Sequence, residues 1–494
     1  MLTSPPALAQ LPTLGDGADM SASAERRIGD NIARQLYRDP DYIDDPVLAD
    51  YVQGIWLRLM AAARQRGELS PELEAAFAWD IALGRDRSVN AFALPGGYLG
   101  VHLGLVAVVT SEDELASVLA HELSHVTQRH IARLISRESK TGPLLIAAMI
   151  LGALAASRSP QTATAVIAGG QAVAIQGQLN FSRDMEREAD RVGYGILTQA
   201  DFAPQGFVTM FEKLQQANRF NDLGSFPYLR SHPMTTARIA DMQSRQQLLP
   251  PTAFSPTVAH TLLAARAHVL SYTDTESLRS TVNAASNPQL GKLTVARQAG
   301  VLYGAALAAS AQRDFALAER WWGRLQTLTR DLAPVPAQVA RLVRLLGAEL
   351  ALASVKPALA LERLEGGPVT AMTGAGLRPE LFAWAQAVTL SGKAEPVSQA
   401  AQQLQTWVAN WPRDAQAWQL LSAAYAAQGQ GLSAVRADAE ARAAHLDFAA
   451  ALNRLKAAQD MMRQGGKIDH IEASIIDTRA REFELRLREQ SLQR

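Results

Sequence analysis

The sequence predicts a mainly α-helical chain with one small β-sheet in its first half and paired helices throughout its second. Three observations carry that reading. Alanine is abundant, and apolar residues recur at spacings of three and four along most of the 494 residues. Aromatic and β-branched residues gather chiefly between residues 77 and 109, where strands are expected. Beyond residue 257, segments of helical length, roughly 12–17 residues each, follow one another in pairs. A chain of this size can bury a large core and is expected to hold at least two domains.

The elements follow in order. Residues 1–20, MLTSPPALAQLPTLGDGADM, are expected to be disordered. Ala7-Leu8-Ala9 before Gln10 has the small-x-small form of a secretory cleavage site, but the basic and apolar parts of a signal peptide are missing. A truncated signal-peptide remnant and an ordinary Pro/Ala tail both remain open. Residues 21–66 give two amphipathic helices separated by DPDYIDD. FAWDIALG (77–84) and NAFALPGGYLGVHLGLVAVV (90–109) are strand candidates, the second bent at Pro95-Gly96-Gly97. Ser111 with the acidic turn Glu112-Asp113-Glu114 starts a helix expected to reach about Ser136. Residues 142–180 are apolar, but the first run holds only about 14 apolar residues against the ~20 of a spanning helix. They suit a buried or interfacial helical hairpin, with membrane insertion as the other reading. A helix over NFSRDMEREADRVGYGIL, another near 204–217 and a loop RSHPMTTARIAD complete a domain at 21–248. The turn-rich residues 249–257 are the linker, and 258–494 form the second domain.

In that second domain DAQAWQLLSAAYAAQGQGLSAVRADAEARAAH carries Trp418, Leu421, Ser422, Tyr425, Gly429, Ala434 and Ala441 at tetratricopeptide-repeat positions, with Asp438 in place of the usual aromatic. VLYGAALAASAQRDFALAERWWGRL is a looser match through Gly304 and Ala316. Stacked repeats of this kind leave a concave surface for a ligand.

Composition excludes several classes. Lys+Arg and Asp+Glu number 48 each, so no net field draws the chain to nucleic acid or anionic lipid, and membrane contact is expected to be at most peripheral unless residues 142–180 insert. Cysteine is absent, which removes disulfides, thiolate catalysis and Cys-ligated zinc.

The chemistry concentrates in LAHELSHVTQRH, residues 119–130, which holds three of the nine histidines. His121-Glu122-Leu123-Ser124-His125 is H-E-x-x-H. Four residues advance a helix by about 40° beyond a full turn, so both imidazoles leave one face and can bind one ion. Glu122 lies about 100° round, placed to act as a base on a water rather than as a ligand. His130, about 180° from His121 on a straight helix, should not share that ion. A catalytic zinc needs a third protein ligand. Glu186 of MEREAD is the best candidate, with Asp190 one turn on to support a ligand histidine. Glu188 falls on the other side as a surface charge.

HELSH and EREAD, together with NAFALPGGYLGVHLGLV and SHPMTTARIAD, closely resemble the zinc metallopeptidases related to the CaaX prenyl protease and HtpX. The helical repeats narrow the likeness to their soluble periplasmic branch, the β-barrel assembly-enhancing proteases. The resemblance covers about residues 25–245; the repeats match in kind. It implies an HExxH gluzincin-like metallopeptidase domain followed by a tetratricopeptide-repeat solenoid. One Zn²⁺ per chain would be held by His121, His125 and Glu186, with Glu122 as catalytic base. His232 of H-P-x-x-x-x-R would lie near the metal as a fourth ligand or switch, accompanied by Arg238. Either of these two could aid an oxyanion once the loop moves. Asn90, Ala91 and Phe92 would offer an edge strand to an extended substrate. The implied substrates are unfolded or misassembled proteins, the implied partner the outer-membrane β-barrel assembly machinery, and the implied compartment the periplasm. The alternative is a repeat-based chaperone or adaptor with a vestigial metal site.

Overall fold

The computed structural model describes residues 20–137, 182–219, 225–246, 257–332, 334–364, 377–463 and 469–491. The apolar stretch 142–180 lies outside the described residues, as do the N-terminal tail apart from Met20 and the linker apart from Thr257. The architecture is mainly helical with a small mixed sheet.

Two helices open the described chain, α1 (Ala22–Leu36) and α2 (Pro46–Gln65). Each begins at a side-chain cap: Ser21 accepts from the Ala24 amide and Asp45 from the Leu48 amide. Between them lies a two-residue strand β1 (Tyr42–Ile43), and a short α3 (Pro71–Ala76) follows; neither stood out in the sequence. β2 (Asp80–Gly84) is shorter than FAWDIALG suggested, because Phe77 caps α3 instead. β3 (Ala91–Leu94) and β4 (Tyr98–His102) flank the Pro95-Gly96-Gly97 bend. Gly96 and Gly97 there take φ of +73° and +80°, a region closed to most side chains. The expected strand ends at His102, and Leu103–Val108 instead forms helix α4. Sheet order is β1-β2-β4-β3, with β2 and β4 parallel and the outer pairs antiparallel. β3 is therefore an edge.

α5 (Glu112–Thr127) packs against β3 and α2. It stops short of the predicted Ser136: Arg129 has φ +51°, and a separate α6 (His130–Arg137) begins beyond it. α7 (Arg183–Gln199) lies along α5. Gly193 permits this approach, since a Cβ there would stand 3.1 Å from the Ala120 carbonyl. α8 (Gln205–Arg219), a short α9 (Tyr228–Ser231) and α10 (Thr236–Gln246) follow. The predicted RSHPMTTARIAD loop is thus helical from Thr236 onward.

From Val258 the chain runs as successive packed helices: α11 (Val258–Ser271), α12 (Thr275–Ala284), α13 (Val295–Ala311), α14 (Phe315–Arg330), α15 (Ala337–Ala353), α16 (Pro357–Leu364), α17 (Arg378–Ser391), α18 (Ala394–Asn410), α19 (Ala415–Ala427), α20 (Gly431–Ala444), α21 (Phe448–Arg463) and α22 (His470–Ser491). α19 and α20 are a helix pair spanning Trp418–Ala441, turning at Gly429 with φ +74° and tied by Ser422 Oγ donating to the Ala434 carbonyl at 2.8 Å.

The two halves share one apolar core that runs from Ile28 to Leu446, and α11 packs on α4. Buried polar ties reinforce it. Arg266 of α11 grips Asp45, the α2 cap, at 2.6 and 2.8 Å. His260 donates Nε2–H to the Val109 carbonyl at 2.9 Å and accepts from the Tyr51 hydroxyl at 2.8 Å. Burial pushes the His260 pKa down. Because the unfolded histidine titrates near 6.5 and the folded one below it, the unfolded state takes up more protons as pH drops below about 6.5. This contribution to stability is present above that value and lost on acidification. The melting temperature should therefore fall more steeply between pH 7.5 and 5.5 in wild type than in His260→Gln. Parallel profiles would refute the assignment.

Candidate metal centre

α5 brings His121, Glu122 and His125 to one buried face, and α7 sets Glu186 opposite. His232, the residue that ends α9, closes the group from the other side. All four candidate ligand side chains are at most 2% exposed, and their donor atoms lie within 4.8 Å of one another. The two histidine Nε2 atoms of α5 are 3.0 Å apart. His232 Nδ1 stands 3.3 Å from His121 Nε2 and 3.0 Å from Glu186 Oε1. Glu186 Oε1 is 3.5 Å from His125 Nε2. Donors about 2.0–2.1 Å from one tetrahedral ion stand roughly 3.3 Å apart, and these four separations are of that size.

Charge points the same way. Glu122, Glu186 and Asp190 bring three buried carboxyl groups to the centre, faced by the single buried guanidinium of Arg238. A divalent cation fits that imbalance. Burial alone would raise the Glu186 and Asp190 carboxyls. His232 and His121 hold the first well below the usual range, and Arg238 and His121 hold the second below it. Burial alone would lower His121, but Asp190 and Glu186 hold it up at about 9, so a cation bound at Nε2 would displace a proton.

The surrounding contacts fix which nitrogen faces inward. Asp190 Oδ1 sits 3.0 Å from His121 Nδ1, which leaves Nε2 for an ion. Arg238 grips Asp190 through Nε at 2.6 Å and Nη2 at 2.8 Å, pairs with Glu186 Oε2 at 2.8 Å and donates to the Pro233 carbonyl at 2.9 Å. All three of its nitrogens are thereby engaged. Arg238 thus reaches both Asp190 and Glu186 from one buried position. Glu122, wholly buried, accepts from the Ala93 amide through Oε2 at 2.9 Å, while its Oε1 lies 3.4 Å from His232 Nε2.

Of the expected strand residues, Ala91 and Phe92 lie in edge strand β3 and Asn90 just ahead of it, its carbonyl bonded to the His102 amide. Phe92 turns its ring over Gly100, away from the cluster. None of the three reaches the ligand set. The edge nevertheless points its Ala93 amide straight at Glu122.

Two residues change role. A straight helix would carry His130 away, but the break at Arg129 turns it back so that its Nδ1 is 2.9 Å from His125 Nδ1. Burial pushes His130 down to about 4, so it is neutral at pH 7. Glu188, expected as a surface charge, meets His130 Nε2 at 3.0 Å and Arg133 at 2.9 Å. No glycine or proline in HVTQRH marks the break, so nothing in the sequence signals either contact.

Residues 49–246 match the sequence profile described as peptidase family M48. A Yersinia pestis protein named beta-barrel assembly-enhancing protease is 30% identical over 465 residues, covering 93% of this chain and 89% of its own length. The protein of that name from Escherichia coli (strain K12) is 33% identical over 243 residues, 49% of this chain and 48% of its own. A Vibrio cholerae relative is 36% identical over 268 residues, 53% of each chain. The chain spans about half the length of these last two relatives.

Proposed function

The chain belongs to peptidase family M48, and from that premise we propose that it is a zinc-dependent endopeptidase acting on unfolded or misassembled proteins, in the assembly of outer-membrane β-barrels. The observation that carries this reading is the convergence of His121, His125, Glu186 and His232 within 4.8 Å of one another, beside a wholly buried Glu122. The relatives' names support the barrel-assembly setting, and the periplasm is the compartment that suits it.

When bound, zinc would supply Lewis acidity toward the scissile carbonyl and toward an attacking water. Everything else falls to the side chains. Glu122, fixed through one oxygen by the Ala93 amide, takes the water's proton on the other and hands it to the leaving amine. Edge strand β3 holds the substrate backbone extended alongside that base. Asp190 and Arg238 keep His121 and Glu186 oriented.

The same geometry favours a latent resting state. A catalytic site needs an open position, and His232 supplies a fourth donor instead. The segment that carries it also pairs with the start of the edge strand: the Val89 amide donates to the Ser225 carbonyl at 2.8 Å, and the Tyr228 amide reaches the Val89 carbonyl at 3.5 Å. One displacement would free both the fourth position and the strand entrance. His232→Ala should therefore raise casein cleavage several-fold while zinc stays at one per chain; unchanged or lower cleavage would refute latency. Wild type that carries no zinc when prepared without chelator would move the reading to the chaperone or adaptor alternative.

The helical half would then select clients as a domain of tetratricopeptide-like repeats beyond the 249–257 linker. In support, a cavity of about 620 Å³ opens where it meets the first half, lined among others by Trp79, Asp50, Trp411, Arg413 and His445. The barrel-assembly machinery is the proposed partner.

A further inference from the structure

We propose that His130, held by Glu188 and Arg133, is a positioning residue that fixes the tautomer and direction of His125; this rests on the zinc reading above. The two α5 histidines are supported differently. His121 turns its Nδ1 to the carboxylate of Asp190. His125 meets a second imidazole, His130 Nδ1 at 2.9 Å, and the carboxylate of Glu188 stands one ring further out, 3.0 Å from His130 Nε2.

Proton accounting fixes this chain. A neutral imidazole that offers Nε2 as a lone pair carries its hydrogen on Nδ1. That hydrogen on His125 needs an acceptor, so His130 must present an unprotonated Nδ1 and carry its own hydrogen on Nε2. Glu188 accepts that hydrogen and makes the required tautomer the favoured one. Arg133, 2.9 Å from the same Glu188 oxygen, holds the carboxylate in place. The left-handed Arg129 puts His130 there: without the break between α5 and α6, residue 130 would point about 140° away from residue 125. Arg129 is itself tied back to Glu25 of α1 at 3.0 Å, so the bend is braced from a third helix.

The test is zinc affinity of the full chain, measured by competition with a chromophoric chelator in wild type, His130→Asn, His130→Leu and Glu188→Ala. Asn places its carbonyl oxygen where His130 carries Nδ1 and can accept from His125, whereas Leu fills space without accepting. Loss of a partner behind a metal-binding histidine weakens binding about 10–100-fold, and that loss is expected for His130→Leu and Glu188→Ala, with His130→Asn close to wild type. The ligand-field spectrum of the cobalt-substituted protein should shift in the same two variants and not in the third. Because both act through one chain, His130→Leu combined with Glu188→Ala should lose little more than the worse single variant. Equal zinc affinity in all variants would overturn the inference and leave the zinc site standing. Equal loss in Asn and Leu would reduce His130 to packing and overturn it too. Wild type that binds no zinc would overturn both readings. Should His130→Leu fail to fold, Glu188→Ala decides alone, since that side chain is 28% exposed and lies outside the core.

Discussion

Glu122→Gln should lower cleavage of an unfolded protein by about 10²–10⁴-fold, the usual share of a general base, and leave zinc content unchanged. The substitution is close to isosteric. Glu122 is fully buried and held by the Ala93 amide; a glutamine carbonyl can accept that same hydrogen bond. What the amide cannot do is take a proton from water and return it to the leaving amine. Metal binding should survive, because Glu122 is not among the four converging donors. Hydrolysis of casein and zinc by atomic emission, measured on one preparation, separate the outcomes. Retained activity would remove Glu122 as base, and loss of zinc would make it a structural support.

How much of this centre was legible in the sequence depends on how far helical geometry extrapolates. His121, Glu122 and His125 sit within one turn, and Glu186 and Asp190 within another, so the period alone set their faces. Their outward contacts were harder. Assigning His130 required knowing that α5 stops at Thr127, and VTQRH has no residue that forces a stop; the break comes from Arg129 adopting a left-handed backbone and bonding to Glu25 across the chain. Glu188 was misread for the same reason, since its partner was assumed to lie elsewhere. LGLVAV looked like a strand because a short apolar run fits either period; it is a helix packed against α11. The ties between the halves were invisible, as no local pattern links Asp45 to Arg266 over 221 positions.

Arg266→Ala should destabilise the folded chain by about 3–5 kcal/mol, the range for breaking a buried ion pair from one side. Arg266 is 3% exposed and Asp45 7%, so neither can fall back on water. The guanidinium joins three elements: Asp45 at the start of α2, Glu349 of α15 at 2.7 Å, and the Tyr303 hydroxyl of α13 at 3.3 Å. Burial would raise the Asp45 carboxyl, yet Arg266 holds it below its ordinary value. Truncating the arginine therefore strands a buried carboxylate that also caps α2 through the Leu48 amide. Removing both charges together, as Asp45→Asn with Arg266→Met, should cost clearly less than Arg266→Ala, since no uncompensated charge is left behind. Urea unfolding midpoints of the three proteins would decide it; a double variant as unstable as the single would show that packing, not charge, dominates this junction. The consequence reaches the metal centre, because α2 packs on α5 and α7. A clamp from the second half thereby braces the helices that carry the ligands, and Arg266→Ala should lose zinc at lower urea than wild type does.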